Sequence, residues 1–126
     1  ANVTVNGSIE NTQMANNQVG LRVEDNSTIT AKNTTVANSI GSGFIAASNT
    51  GAVVNLNLEN CLASGNGTGI KADLNANATV RISRCTIAGN TNGLVTTVGA
   101  RILSTLPATN FNADSGSPTG PNITLQ

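Results

Sequence analysis

Hydrophobic and polar positions recur along this chain with a spacing close to 24 residues. Residues 55–70, NLNLENCLASGNGTGI, match residues 79–94, TVRISRCTIAGNTNGL. A shift of 24 lays Leu58 on Ile82, Cys61 on Cys85, Asn66 on Asn90 and Gly69 on Gly93. Four Gly-apolar pairs anchor the repeat: Gly20-Leu21, Gly43-Phe44, Gly69-Ile70 and Gly93-Leu94, spaced 23, 26 and 24 residues apart. Upstream of each pair lies an alternating segment, Ser8-Ile9-Glu10, Thr28-Ile29-Thr30, Leu56-Asn57-Leu58 and Val80-Arg81-Ile82. That two-residue period suits a strand with one buried face. A second apolar point follows at Met14, Val36, Ala63 and Ile87. After a polar turn, the Gly-apolar pair opens a third segment: LRV, FIA, IKA, LVT. Three short strands and three turns per unit predict one coil of a parallel β-solenoid, whose units are too short to fold alone.

Strand register is kept while turns absorb insertions, so the extra residues at 49–53 are expected in a turn. A helical reading fails, because Gly, Asn and Thr recur too often and no 3.6-residue apolar period runs long enough. An antiparallel sandwich also has many short strands, but it does not predict a self-match laying Asn on Asn and Cys on Cys.

The pattern at residues 77–94, NATVRISRCTIAGNTNGL, resembles the right-handed parallel β-helix repeat of secreted bacterial proteins in the pectate-lyase-like superfamily. The likeness covers residues 3–103. It implies an all-β, right-handed parallel β-helix of about five coils of ~24 residues, with residues 1–104 as coils and 105–126 as a C-terminal cap or tail of the same domain. The motif is specific for fold and says little about chemistry. Members of that superfamily range from polysaccharide lyases, hydrolases and epimerases to phage tailspikes and surface proteins without known activity. The tail holds Pro107, Pro118 and Pro121, which cannot donate to a β ladder. Residues 122–126, NITLQ, could return as a final strand.

Composition narrows the functional classes. Six basic residues balance six acidic ones, so nucleic acid and anionic membrane surfaces are poor candidate partners. Charged residues make up 10% of the chain, against roughly 25% in an ordinary domain; Asn, Thr, Ser and Gly supply the polar surface instead. With no Trp, Tyr or His and only Phe44 and Phe111 as aromatics, the core must be narrow. No run approaches the ~20 apolar residues of a membrane helix. Scarce Lys and abundant Asn and Thr point to a secreted or cell-surface setting. Asn-x-Ser/Thr sequons stand at Asn2, Asn6, Asn26, Asn33, Asn66, Asn77 and Asn122, and read as products of the turn repeats.

Several positions should stack. Asn17, Asn66 and Asn90 each follow the second apolar point by three residues. Asn tolerates left-handed backbone and its amides can form a ladder between coils. Cys61 and Cys85 share a register, with Thr12 and Thr34 or Thr35 at the equivalent place in earlier coils. Parallel strands lie about 4.8 Å apart, inside the Cα range of a disulfide. Their side chains point the same way, however, and favour two stacked thiols over a bond. Arg22 and Lys71, followed by Glu24 and Asp73, form a basic-x-acidic repeat, readable as a solvated face or as a binding strip for a polar chain. Arg81 is expected diagonal to Glu59.

Catalytic members of the superfamily cluster carboxylates, as calcium ligands beside a basic residue or as an acid/base pair. Here only Glu24 and Asp25 are adjacent, and neighbours on a strand point to opposite faces. The chain also lacks the paired-Asp and His-Gly pattern of the hydrolases and the Asp-Pro-His-Glu signature of the epimerases. No metal or cofactor site is expected. The reading is a non-catalytic structural or adhesive module, pairing with itself through open solenoid ends or with a surface polysaccharide; the alternatives are a carbohydrate-binding β-helix or a fragment of a polysaccharide lyase or hydrolase. Glycan recognition usually uses an aromatic platform, and Phe44 is expected to point inward. The Thr positions form no flat array of the kind that binds ice.

Overall fold

A computed structural model of the protein describes residues 3–106 and 109–118. Three parallel sheets run along a β-solenoid. The first coil contains β1 (Val5–Glu10), β2 (Gln13–Ala15) and β3 (Leu21–Val23). The second has β4 (Ser27–Lys32), β5 (Thr35–Ala37) and β6 (Ser42–Ala47). The third has β7 (Val54–Glu59), β8 (Leu62–Ser64) and β9 (Thr68–Asp73), and the fourth β10 (Ala78–Ser83), β11 (Thr86–Ala88) and β12 (Asn92–Thr96). β13 (Arg101–Ser104) and β14 (Phe111–Asn112) begin a further turn. The solenoid thus makes about four turns among the described residues rather than five, because no third strand follows β14 there.

The first sheet orders β1-β4-β7-β10-β13, the second β14-β11-β8-β5-β2 and the third β12-β9-β6-β3. The Gly-apolar pairs share one register: Leu21 opposes Phe44, Phe44 opposes Ile70 and Ile70 opposes Leu94. Met14, Val36, Ala63 and Ile87 likewise form one column. In the first sheet the columns are offset from the simplest alignment of the alternating segments. Ile9 opposes Ala31, and Gly7 rather than Ile9 opposes Ile29. The inward columns are then Gly7-Ile29-Leu56-Val80-Ile102 and Ile9-Ala31-Leu58-Ile82-Ser104. The long turn at residues 48–53 absorbs the insertion between β6 and β7.

Val, Ile, Leu and Ala fill the narrow interior, with Phe44 fully buried among them. Apolar burial of this kind drives the stack, since each coil hides its inward face only against its neighbours. The first coil is the exception: Val5 is 51% exposed, and Ile9, Met14 and Leu21 are only partly covered.

The glycine column has a steric cause. A Cβ on Gly69 would lie 2.8 Å from the Gly93 carbonyl oxygen and 2.9 Å from the Asn90 amide nitrogen. A Cβ on Gly43 would lie 2.8 Å from both the Gly69 oxygen and the Asn66 amide nitrogen. At Gly43 and Gly69 the turn asparagine of the next coil therefore occupies the space a side chain would need, and at Gly20 the Val36 side chain takes it, which is why glycine precedes the apolar residue.

Candidate functional site

The polar groups form columns along the solenoid, and the innermost runs through the turn between the second and third sheets. Backbone bonds place Asn17, Ser39, Asn66 and Asn90 at one register: Ile40 donates to the Asn17 carbonyl, Gly67 to Ser39 and Thr91 to Asn66. The side-chain ladder is shorter than that register. Asn90 Oδ1 accepts the Asn66 N–H and its Nδ2, both at 2.9 Å. Asn66 Oδ1 accepts the Ser39 N–H at 2.9 Å, and the two Nδ2 atoms donate to the Val36 and Ala63 carbonyls at 3.2 and 3.0 Å. Asp114 closes the column, accepting the Gly89 and Asn90 N–H groups at 2.9 Å and Asn90 Nδ2 at 2.8 Å. Those bonds, the Asn90 backbone foremost, hold the Asp114 carboxyl below the usual carboxylate range.

Asn17 stands outside this ladder, with an exposed side chain. The coil above it carries Ser39, whose short side chain cannot reach down, and whose buried Oγ has no partner. Nor do the ladder asparagines supply left-handed backbone. That conformation falls one residue earlier, on Asn16, Asn38, Gly65 and Gly89.

A second asparagine column escaped the sequence reading. Asn11, Asn33 and Asn60 occupy the turn between the first and second sheets, each left-handed with φ near 50°, and Arg84 continues the series. Asn33 Nδ2 donates to Asn11 Oδ1 at 3.2 Å, and Asn60 Nδ2 to Asn33 Oδ1 at 2.6 Å. The sequence signal was present: an Asn precedes Thr12, Thr34 and Cys61, and Arg84 precedes Cys85.

Thr12, Thr34, Cys61 and Cys85 form the adjoining column, which settles the choice between Thr34 and Thr35. Each donates to the carbonyl two residues back: Thr12 to Glu10, Thr34 to Lys32, Cys61 to Glu59 and Cys85 to Ser83. Both cysteines are buried free thiols. The hydrogen bond with Cys61, together with burial, pushes the Cys85 thiol far up, so it stays protonated and unreactive.

The outward face of the first sheet carries polar side chains at most of its positions. Its columns run Asn6-Thr28-Asn55-Thr79-Arg101 and Ser8-Thr30-Asn57-Arg81-Leu103. Arg81 does not reach Glu59: its Nη1 donates to Asn55 Oδ1 at 2.7 Å. Arg81 opposes Asn57 and Ser83 opposes Glu59, so Arg81 and Glu59 are diagonal in register as expected, although the guanidinium is turned to Asn55. Glu59 instead faces Arg84 at 3.2 Å and Lys32 at 3.9 Å. A shallow groove of about 300 Å3 is lined by Thr30, Asn57, Glu59, Arg81, Ser83 and Thr105.

The basic-x-acidic repeat is not a continuous strip. Arg22 and Lys71 are separated in register by Ile45, which is 4% exposed. Arg22 pairs with its own Glu24, and Lys71 with Asp73 at 3.0 Å. The Arg22 bond holds the Glu24 carboxyl below its ordinary range. Asp73 is held low as well: burial opposes its charge, but the Thr97 hydroxyl and Lys71 prevail. Two self-contained ion pairs therefore bracket an apolar residue.

Among the described residues, no three His, Cys, Asp or Glu side chains gather as a metal would require, and no helix is long and apolar enough to cross a membrane. No known protein family matches the chain, and no match was found among curated proteins or solved structures.

Proposed function

We propose that this chain is a non-catalytic structural or adhesive β-solenoid module of a secreted or cell-surface protein, able to associate end to end. One observation carries the reading: its polar side chains are used between coils. Asn66, Asn90 and Asp114 join three coils inside the turn, while Asn11, Asn33 and Asn60 join three outside it. Asn55 and Asn57 reach Thr28 and Thr30, and Arg101 reaches Thr79, across the first sheet. A ligand site instead converges a few polar groups on an apolar cleft.

The motif at residues 77–94 supports the finer placement as a right-handed, scaffold-type relative of the secreted pectate-lyase-like β-helices. Composition supports an extracellular or surface location. Fractionation of producing cells tests this, and accumulation in the cytosol would contradict it.

Carbohydrate binding is the second reading, favoured by the groove that holds Arg81 and Asn57. The intact protein should be incubated with neutral and acidic polysaccharides, following product release, and applied to a glycan array. A structural module shows neither turnover nor saturable binding. Turnover would sink it. Saturable binding that disappears in Asn57→Ala/Arg81→Ala would establish the second reading instead.

A further inference from the structure

We propose that Asn26, in the turn between β3 and β4, is the attachment site of an N-linked glycan. The inference rests on the secreted or cell-surface setting proposed above, because the modification belongs to the secretory route.

The fold divides the Asn-x-Ser/Thr sequons. Asn2 and Asn122 lie outside the described residues. Asn66 is 2% exposed, and its Nδ2 donates twice, to the Val36 carbonyl and to Asn90 Oδ1. Both amide protons are used, and a sugar has no room there. Asn33 spends its Nδ2 on Asn11 Oδ1 at 3.2 Å, and Asn77 spends its own on the Gly51 carbonyl at 2.7 Å. These three amides tie coil to coil, so the stack itself accounts for them. Asn6 stands on β1, which has a described strand on one side only, so the state of its side chain decides nothing.

Asn26 differs. It has described neighbours on both sides: one residue before the pairs Val5–Ser27 and Ser27–Val54, it lies between Thr4 and Val53. Its backbone is left-handed, φ 61°, and its carbonyl accepts the Val5 N–H at 2.8 Å. Its partly exposed side chain makes no hydrogen bond to any described residue. The polar groups beside it are occupied. Asp25 takes the Asn49 and Thr50 N–H groups, and Ser27 donates to the Asp25 carbonyl. Asn77 sits at the same register two coils on and begins a sequon of the same kind. Its bond to Gly51 shows what a structural amide does at this position, and Asn26 makes no such bond.

The residue one coil above Asn26 is Val53, 56% exposed, at a rung spacing of about 4.8 Å. The C–H face of a sugar ring on Asn26 would cover it and take apolar surface out of water. The donor is an oligosaccharide held on a polyprenyl diphosphate, brought by a membrane-bound transferase. Nδ2 of Asn26 bonds to the anomeric carbon as the bond from that carbon to the diphosphate oxygen breaks. The lipid diphosphate leaves, and one amide proton passes to the transferase.

To test this, the full chain is secreted behind a cleavable signal peptide from cells that N-glycosylate. It is weighed intact, from the medium and from the cells alike, before and after an amide-cleaving glycosidase, and the modified residue is mapped. The expected mass exceeds 12.6 kDa and falls on treatment, with Asn26 converted to Asp. Asn26→Gln should abolish the sugar at this site. Thr28→Val should abolish it too, because it removes the sequon hydroxyl, and it should keep the folded β signal because valine suits a strand. A folded chain bare at Asn26, or a sugar that survives Thr28→Val, would overturn the assignment and leave the secreted setting standing. A sugar on Asn66 in the folded product would overturn it as well, since buried, committed amides would then be used. A chain glycosylated at Asn26 but held inside the cell would support the site and count against the setting.

Discussion

Asn66 donates its side-chain amide to Asn90 at 2.9 Å, and the oxygen that receives it also accepts the Asn66 backbone N–H at 2.9 Å. One asparagine thus satisfies both the main chain and the side chain of its counterpart a coil below. Because both residues are buried, those groups have no water to fall back on. Asn66→Ala would strand the Ser39 N–H and the Val36 carbonyl. The expected loss is about 2–4 kcal/mol, read as a drop in the denaturant midpoint with the slope unchanged. A loss well under 1 kcal/mol would mean the ladder contributes little.

Ser39 is the gap in that ladder, and its buried hydroxyl has no partner. Ser39→Asn should extend the column toward Asn17 and the Met14 carbonyl, as Asn66 does toward Ser39 and Val36. A gain of about 1 kcal/mol is expected from one recovered buried bond. A destabilised variant would show that this turn lacks room for the longer side chain.

Glycines along the chain should differ sharply in tolerance. Gly69→Ala drives a methyl into the Asn90 amide and the Gly93 carbonyl, and overpacking of this sort costs about 1–3 kcal/mol. At Gly7 the nearest atom is the tip of Ile29, at 3.2 Å. That flexible end can yield, so Gly7→Ala should change stability by less than about 0.5 kcal/mol. Thermal melts of the two variants side by side decide the point; equal effects would contradict the steric origin of the glycine column.

The cysteines behave as threonine substitutes. Cys61 and Cys85 make the same carbonyl bond as Thr12 and Thr34, so Cys85→Thr should fold with a cost below about 1.5 kcal/mol. Reductant should leave the melting temperature of the native protein unchanged. A chromogenic disulfide should titrate both thiols only after unfolding. Reductant-sensitive melting would indicate a bond between them.

Acid should loosen the far end first. The native state holds the Asp114 carboxyl below its ordinary range, so its stabilising bonds are complete above the unfolded pKa near 3.8. They are lost as pH falls through the lower folded value. Hydrogen exchange at Gly89 and Asn90 should therefore accelerate in acid below about pH 4. Asp114→Asn should abolish that acid dependence; its persistence would place the titration elsewhere.

Much of the architecture was legible because close approach constrains residue type. The Gly-apolar pairs marked the true register, since each glycine leaves room for the next coil, and the alignment of Cys61 with Cys85 was equally direct. Polar partners were harder. The alternating segments around Ile9 and Ile29 carry no register of their own, and the first sheet sets Gly7, not Ile9, opposite Ile29. Asn11, Asn33 and Asn60 were overlooked because Arg84 ends their series. Arg81 and Glu59 are diagonal in register as expected, yet Arg84, just beyond the strand, takes the carboxylate. Leu74 and Val98 adopt left-handed backbone, φ 79° and 52°, against their intrinsic preference, and nothing in their local sequence announces it.

The most direct measurement is the unfolding free energy of Asn55→Ala/Arg81→Ala. These side chains bridge Thr28, Asn55 and Arg81 across three coils of the first sheet. If they serve the stack, removing them lowers stability by about 1 kcal/mol with the folded β signal intact. If they are held in place for a ligand, they should add nothing to stability and their removal should leave it unchanged or raise it. That second outcome would contradict a structural role for the outward face.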